Sequence, residues 1–311
     1  MRKMHRDERG AALLTAMIIV TLVATLAAAM VWQQWRAVQA EAIERSRMQA
    51  AWILAGALDW ARLILREDAR AGGPDHLGEP WAVPLAEARL SSFLAVDKNN
   101  TDDAPEAFLA GSITDAQARY NLRNLFQDQE STVIPAEPAI LARLCDAAGV
   151  ASGVAQRLAN ALAAANLGED DAPLMPQSIA QLGWLGIDAD TRKRLAPYVV
   201  LLPSRTPVNL NTASTEVIAA VVEGLQRGDA EQLVQVRQRT PFRSVAQAQA
   251  IVPKGITLQP NQVSTTTRYF EVSGRLRLGD RVLLERSLLE RRGPTILAVQ
   301  RERVNLTEPD S

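Results

Sequence analysis

Few side chains in this chain of 311 residues are suited to chemistry. There are two histidines, His5 and His76, and one cysteine, Cys145. Two imidazoles leave little for His-based catalysis or metal binding. One thiol makes neither an intrachain disulfide nor a multi-cysteine zinc site. Cys145 falls among the apolar residues of PAILARLCDAAG (138–149), where an inert buried thiol is expected. The run DKNNTDD (97–103) offers oxygens to a hard cation but lacks the EF-hand spacing, so it reads as a solvated turn. No nucleophile elbow, phosphate-binding glycine loop or paired histidine ligands occur. These absences argue against an enzyme.

One segment invites a nucleic-acid reading. TPVNLNTASTEVIAAV (206–221), followed by AEQLVQVRQRTPFRSVAQ (230–247), resembles the start of helix-hairpin-helix modules in DNA-uptake proteins. Such modules hold phosphate on the backbone N–H groups of a glycine-rich hairpin. Here the hairpin reads Val222-Glu223-Gly224-Leu225-Gln226-Arg227, without a Gly-x-Gly pair and with an acid where phosphate would sit. A helical packing unit is expected instead, with Thr212 as N-cap, Glu216 near the positive end of the helix dipole, and Val217, Ile218 and Val221 buried. Nucleic acid is disfavoured as a partner. Composition agrees: 34 basic residues balance 35 acidic ones, and aromatics at 5% give no stacking platform. With 47% hydrophobic residues the chain is not disordered, and its length suggests about two domains.

The N-terminal element sets the compartment. Residues 11–32, AALLTAMIIVTLVATLAAAMVW, carry no charge, and a helix of that length crosses a ~30 Å hydrocarbon core. Arg2, Lys3, Arg6 and Arg9 precede it against Asp7 and Glu8, which favours a cytoplasmic N-terminus. Trp32 and Trp35 stand where an interfacial anchor is expected. The apolar run begins directly after Gly10, which resembles the type IV pilin class of signals. That resemblance implies cleavage by a prepilin peptidase between Gly10 and Ala11, with N-methylation of Ala11; a plain uncleaved anchor is the alternative. Pilins carry Glu at the fifth mature position, where this chain has Thr15. A buried carboxylate there needs a partner in the neighbouring subunit. A chain without one suits the first subunit of a filament.

Beyond the span the helix is expected to continue through AWILAGALDWARLIL (51–65), packed on a sheet, with Trp52 and Trp60 in a core or against a partner, core favoured. Gly72-Gly73-Pro74 ends it, and 74–106 reads as loop. Strand signals follow at Ile113 and at Tyr120-Asn121-Leu122. Residues 135–253 are helical: 138–149, 152–166, a helix with a Ser178–Gln181 capping box, and 190–195. Residues 268–304 alternate as an antiparallel meander, turning at Gly279-Asp280 and Gly293-Pro294. That meander carries nine arginines against five acids, read as a solvated face with an anionic surface as the alternative.

ERGAALLTAMIIV, DAQARYNLRNL (115–125), RTPVNLNTASTEVIAAV (205–221), RQRTPFRS (237–244) and RYFEVSGRLRLGDR (268–281) together resemble the general secretion pathway protein K family, minor pseudopilins of type II secretion systems. The resemblance implies an α+β fold: a pilin-like long N-terminal helix packed on a small antiparallel sheet, with a large inserted all-α domain. The expected divisions are a leader (1–10), a transmembrane helix (11–32), an α+β domain (33–126 and 258–311) and an inserted helical domain (127–257). It implies the minor pseudopilins I and J and the prepilin peptidase as partners, secreted substrates as further contacts, and a single-pass inner-membrane location with a periplasmic C-terminal domain. Initiation and capping of the pseudopilus tip is the implied role, and Trp32, Trp35 and Trp52 are the expected partner-helix contacts. A membrane-anchored periplasmic DNA-binding protein is the rival. Members are associated with calcium, but this chain has Asn160 and Ala164 where acids are expected. Glu169, Asp170 and Asp171 alone remain, too few for a tight site, and no cofactor is expected.

Overall fold

The computed structural model describes residues 7–90, 107–127, 133–151, 153–167, 172–279 and 281–305. Two units divide it, residues 1–55 and 56–311, and the division falls inside the first helix, α1 (Asp7–Ala71). Among the described residues of the first unit α1 is the only element, and by length and composition it can cross a membrane. It ends as the glycine pair requires. Gly72 adopts φ +68 and its N–H closes on the Asp68 carbonyl at 3.0 Å, a left-handed stop that a side chain would strain.

The second unit is built on a five-stranded antiparallel sheet in the order β1 (Leu85–Arg89), β2 (Ala107–Asp115), β7 (Tyr269–Leu278), β8 (Arg281–Arg292), β9 (Thr295–Asn305). Two tight turns set its register: Leu278 pairs with Arg281, and Arg292 with Thr295. Alternation puts Ile113, Phe270, Val272 and Leu289 on one face. There Leu58, Ala61 and Leu65 of α1, spaced one helical turn apart, pack on them beside Trp81. The meander and its turns are as the alternation predicts. Strand β1 is not, because it lies in the stretch read as loop.

The chain leaves the sheet at Asp115 and returns at Tyr269. Between lie α2 (Glu137–Ala147), α3 (Gly153–Leu167), α4 (Ala189–Leu195), α5 (Thr215–Val221), α6 (Arg227–Arg239) and α7 (Val245–Gln249). They enclose a separate core in which Leu141, Leu144, Leu158, Leu162, Ile218 and Leu233 are fully buried. Cys145 is buried there as expected, and burial pushes its thiol up to about 11. This part is not purely helical. β3 (Tyr120–Asn121) pairs in parallel with β4 (Val199–Val200), and β5 (Val208–Asn209) with β6 (Val263–Ser264). β3 therefore joins β4 instead of the large sheet. The segment after Ser178 is a 3₁₀ turn (Ile179–Leu185); Ser178 makes no cap, and the Gln181 side-chain Oε1 accepts from the Gln177 N–H at 2.7 Å.

Candidate functional site

The expected processing bond joins Gly10 and Ala11 within α1. Thr15 is exposed, and its hydroxyl donates to the Ala11 carbonyl at 2.8 Å. That bond satisfies its one polar group inside the helix, so Thr15 requires no partner in hydrocarbon. Trp32 and Trp35 are exposed and stack with ring centroids 5.4 Å apart. Trp52 is 78% exposed and Trp60 52%. Neither is a core residue of the single chain, against expectation. A nearly all-apolar helix hides which of its faces the sheet covers; the row through Leu58, Ala61 and Leu65 is that face.

The second unit holds a polar junction that sequence reasoning missed. Asp115, the last residue of β2, is fully buried and accepts four hydrogen bonds. Oδ1 takes the Gln117 N–H at 2.7 Å; Oδ2 takes the Thr212 hydroxyl at 2.6 Å, the Thr267 hydroxyl at 2.5 Å and Asn209 Nδ2 at 2.9 Å. Burial pushes the Asp115 carboxyl up, against the opposing pull of these donors. Thr212 is thus spent on Asp115, and the N-cap of α5 is Ser214, which accepts from the Val217 N–H.

Around this hub four chain segments exchange bonds. The Gln117 side chain donates to Pro207 and accepts from the Arg268 N–H. Asn121 bonds the Ser204 carbonyl and the Leu202 N–H. Asn124 bonds both backbone groups of Thr206. Asn211 does the same for Phe242. Arg237 is buried on the Leu210 carbonyl, and burial lowers it to about 10. The motif segments 115–125, 205–221, 237–244 and 268–281 therefore meet in one network. The signal that could have found it is the run of Asp, Gln and Asn between apolar neighbours, where a strand would bury them.

The hairpin between α5 and α6 turns at Gly224, with φ +78. Two of the hairpin amides that would hold phosphate are already engaged, that of Leu225 by the Val222 carbonyl and that of Gln226 by a side chain. Asp229 accepts the Gln226 N–H in a capping box, and Arg227 is paired with Glu216 at 3.1 Å and Glu231 at 3.0 Å. Seven of the nine arginines of the meander likewise have acid partners, three of those acids lying outside it. Glu285 holds Arg301 and Arg303, Glu290 holds Arg268 and Arg292, Glu87 holds Arg275 and Arg277, and Arg291 bridges two aspartates. Glu169, Asp170, Asp171 and the run 97–103 lie outside the described residues.

The model of the family described as Type II secretion system (T2SS), protein K matches residues 208–266, from β5 past α7. Three relatives named Type II secretion system protein K are each 29% identical to this chain. The one from Pseudomonas aeruginosa aligns with 93% of this chain and 90% of its own length. Those from Pectobacterium carotovorum subsp. carotovorum and Klebsiella pneumoniae align with 96% of this chain and 97% of theirs. The fold is shared with a chain in the crystal structure of the GspK-GspI-GspJ complex from the type 2 secretion system of enterotoxigenic Escherichia coli. The TM-score is 0.65 at 20% identity, covering 85% of this chain and 98% of that one.

Proposed function

We propose that this chain belongs to the type II secretion system protein K family and is the minor pseudopilin that begins and caps the pseudopilus tip. The observation that carries the reading is the alignment of protein K relatives along nearly the whole chain, 93–96% of it. In this reading a prepilin peptidase removes residues 1–10 and Ala11 is methylated. Helix 11–32 then anchors the protein once in the inner membrane, N-terminus in the cytoplasm and the rest in the periplasm. Trp32, Trp35 and Trp52, exposed in the single chain, meet the helices of partner subunits. Those partners are the I and J pseudopilins, the components that accompany protein K in the complex of similar fold.

Thr15 fits a starting subunit. Its hydroxyl is satisfied within the helix, so the chain has no carboxylate that must find an amine on a subunit above it. The bulk of residues 127–257 would obstruct such a subunit and offers a surface to secreted proteins. No catalytic step and no cofactor enter this role. Intact mass and N-terminal sequencing of the membrane-extracted protein test it: a mature chain beginning at methylated Ala11 is expected. An intact Met1 in cells with active prepilin peptidase would overturn it, and so would failure to co-purify with I and J.

A further inference from the structure

Three carboxylates gather where α1 ends: Asp68 from its last turn, and Asp75 and Glu79 from the connection to β1, with oxygens all within 4.8 Å of one another. One guanidinium faces them. Arg291 of β8 reaches Asp68 at 2.7 Å and Asp75 at 2.5 Å, and donates to the Thr267 carbonyl. The nearby charges are otherwise engaged. On α1, Glu67 is turned to Arg66 and Arg70, and on β8, Arg292 is turned to Glu290. His76 gives its backbone N–H to Glu79, and its Nδ1 accepts from the Gly78 N–H.

Donors divide the trio unequally. Asp75 Oδ2 holds Arg291 and the Thr267 N–H at 2.6 Å. Glu79 Oε2 holds the His76 N–H and the Trp81 indole N–H, each at 2.8 Å. Burial pushes the Asp75 carboxyl up, against the opposing pull of Arg291 and the Thr267 N–H. Asp68 has Arg291 on one side and the Glu79 carboxyl on the other. Three carboxyl groups this close, with one guanidinium among them, repel one another as anions, and a proton on one of them relieves that repulsion.

We propose that Asp68, set among two other carboxyl groups with one guanidinium between them, holds a proton in the folded protein, and that this proton makes the seat of the last turn of α1 on β8 sensitive to pH. Desolvation first, and Glu79 second, push the Asp68 carboxyl up to about 6. A folded-state value raised above 3.8 means that the native state holds the proton more tightly than the unfolded chain does. The seat is therefore firmest on the acid side and weakens as pH rises through about 6. Above that, two facing carboxylates and Asp75 have one guanidinium between them.

The test is the melting temperature of the full chain in detergent, with EDTA present, at pH 5 and pH 7.5, for wild type and Asp68→Asn. The amide is uncharged, as the protonated acid is, and its oxygen still accepts from Arg291. Wild type is expected to lose roughly 3–6 °C relative to the variant between the two pH values. A difference that does not change with pH overturns the proposal. Amide hydrogen exchange of wild-type residues 66–71, corrected for the intrinsic rate, provides a second readout that needs no variant. Protection that falls as pH rises supports the proton on Asp68, and protection indifferent to pH refutes it.

Discussion

Replacing Asp115 by asparagine keeps the size of the side chain and removes its charge and one acceptor oxygen. The wild-type carboxylate is buried and accepts four hydrogen bonds. The best placement of the amide keeps its oxygen toward Thr212, Thr267 and Asn209. Its NH₂ then opposes the Gln117 N–H, donor against donor. An unpaired buried donor costs about 1–3 kcal/mol. The three surviving bonds lose their charge assistance, roughly a further 1 kcal/mol each. Relief from burying a charge offsets part of this. The net expectation is about 3 kcal/mol, or roughly 6–12 °C in Tm for a unit of this size.

The assay is thermal unfolding of the full chain in detergent at pH 7, followed by tryptophan fluorescence. The matched control is Asp188→Asn, an exposed N-cap of α4 whose carboxylate accepts from the Thr191 N–H at 2.9 Å. Asparagine caps helices nearly as well as aspartate, so that change should move Tm by about 1 °C or less. If Asp115→Asn melts within 1 °C or so of wild type, the buried hub is not what joins the sheet to the helical part, and the account of the junction fails.

The other expectations are smaller. Ser214→Ala removes the true N-cap of α5 and should cost about 1 kcal/mol. Thr212→Val should cost more, because it strips a donor from Asp115; equal Tm values for the two would refute the assignment of caps. Cys145 should resist a thiol-specific alkylating reagent at pH 8 in the native chain and react only on unfolding, as mass spectrometry would read. Thr15→Glu should leave filament assembly unchanged or impair it, and clearly improved assembly would contradict a starting-subunit role. A mobility-shift assay at low salt should show no retarded duplex DNA, since Asp229 and Glu216 already occupy the hairpin's donors.

Much of the fold is legible because it follows local rules. Gly72-Gly73-Pro74 stops α1, and the two tight turns set the meander. What is hidden depends on residues distant in the chain. β1 reads LAEAR, poor in β-formers, and is a strand because its edge pairs with β2. Thr212 and Ser214 are equally plausible caps by type; only Asp115, 97 residues away from Thr212, decides between them. Tyr120 and Asn121 look like a return strand of the large sheet, yet their partner is Val199–Val200. Trp52 and Trp60 show the complementary failure. An apolar side chain announces that it will be covered but not whether its own chain covers it.

Four of the five segments that carry the family resemblance also make the junction, for a physical reason. An apolar core accepts many residues of similar volume, so its spelling drifts freely. Asn124, clasping both the N–H and the carbonyl of Thr206, needs an acceptor and a donor in one short planar group. Asn211 needs the same toward Phe242. Aspartate lacks the donor, leucine lacks both, and glutamine is one methylene too long. Each failure leaves buried backbone groups unpaired. Residues under that constraint form a recognisable motif although they touch no substrate. In a protein whose work is assembly, such a motif marks where the parts of one chain are held in fixed relation, and the surfaces that meet other chains are sought among the exposed tryptophans of α1.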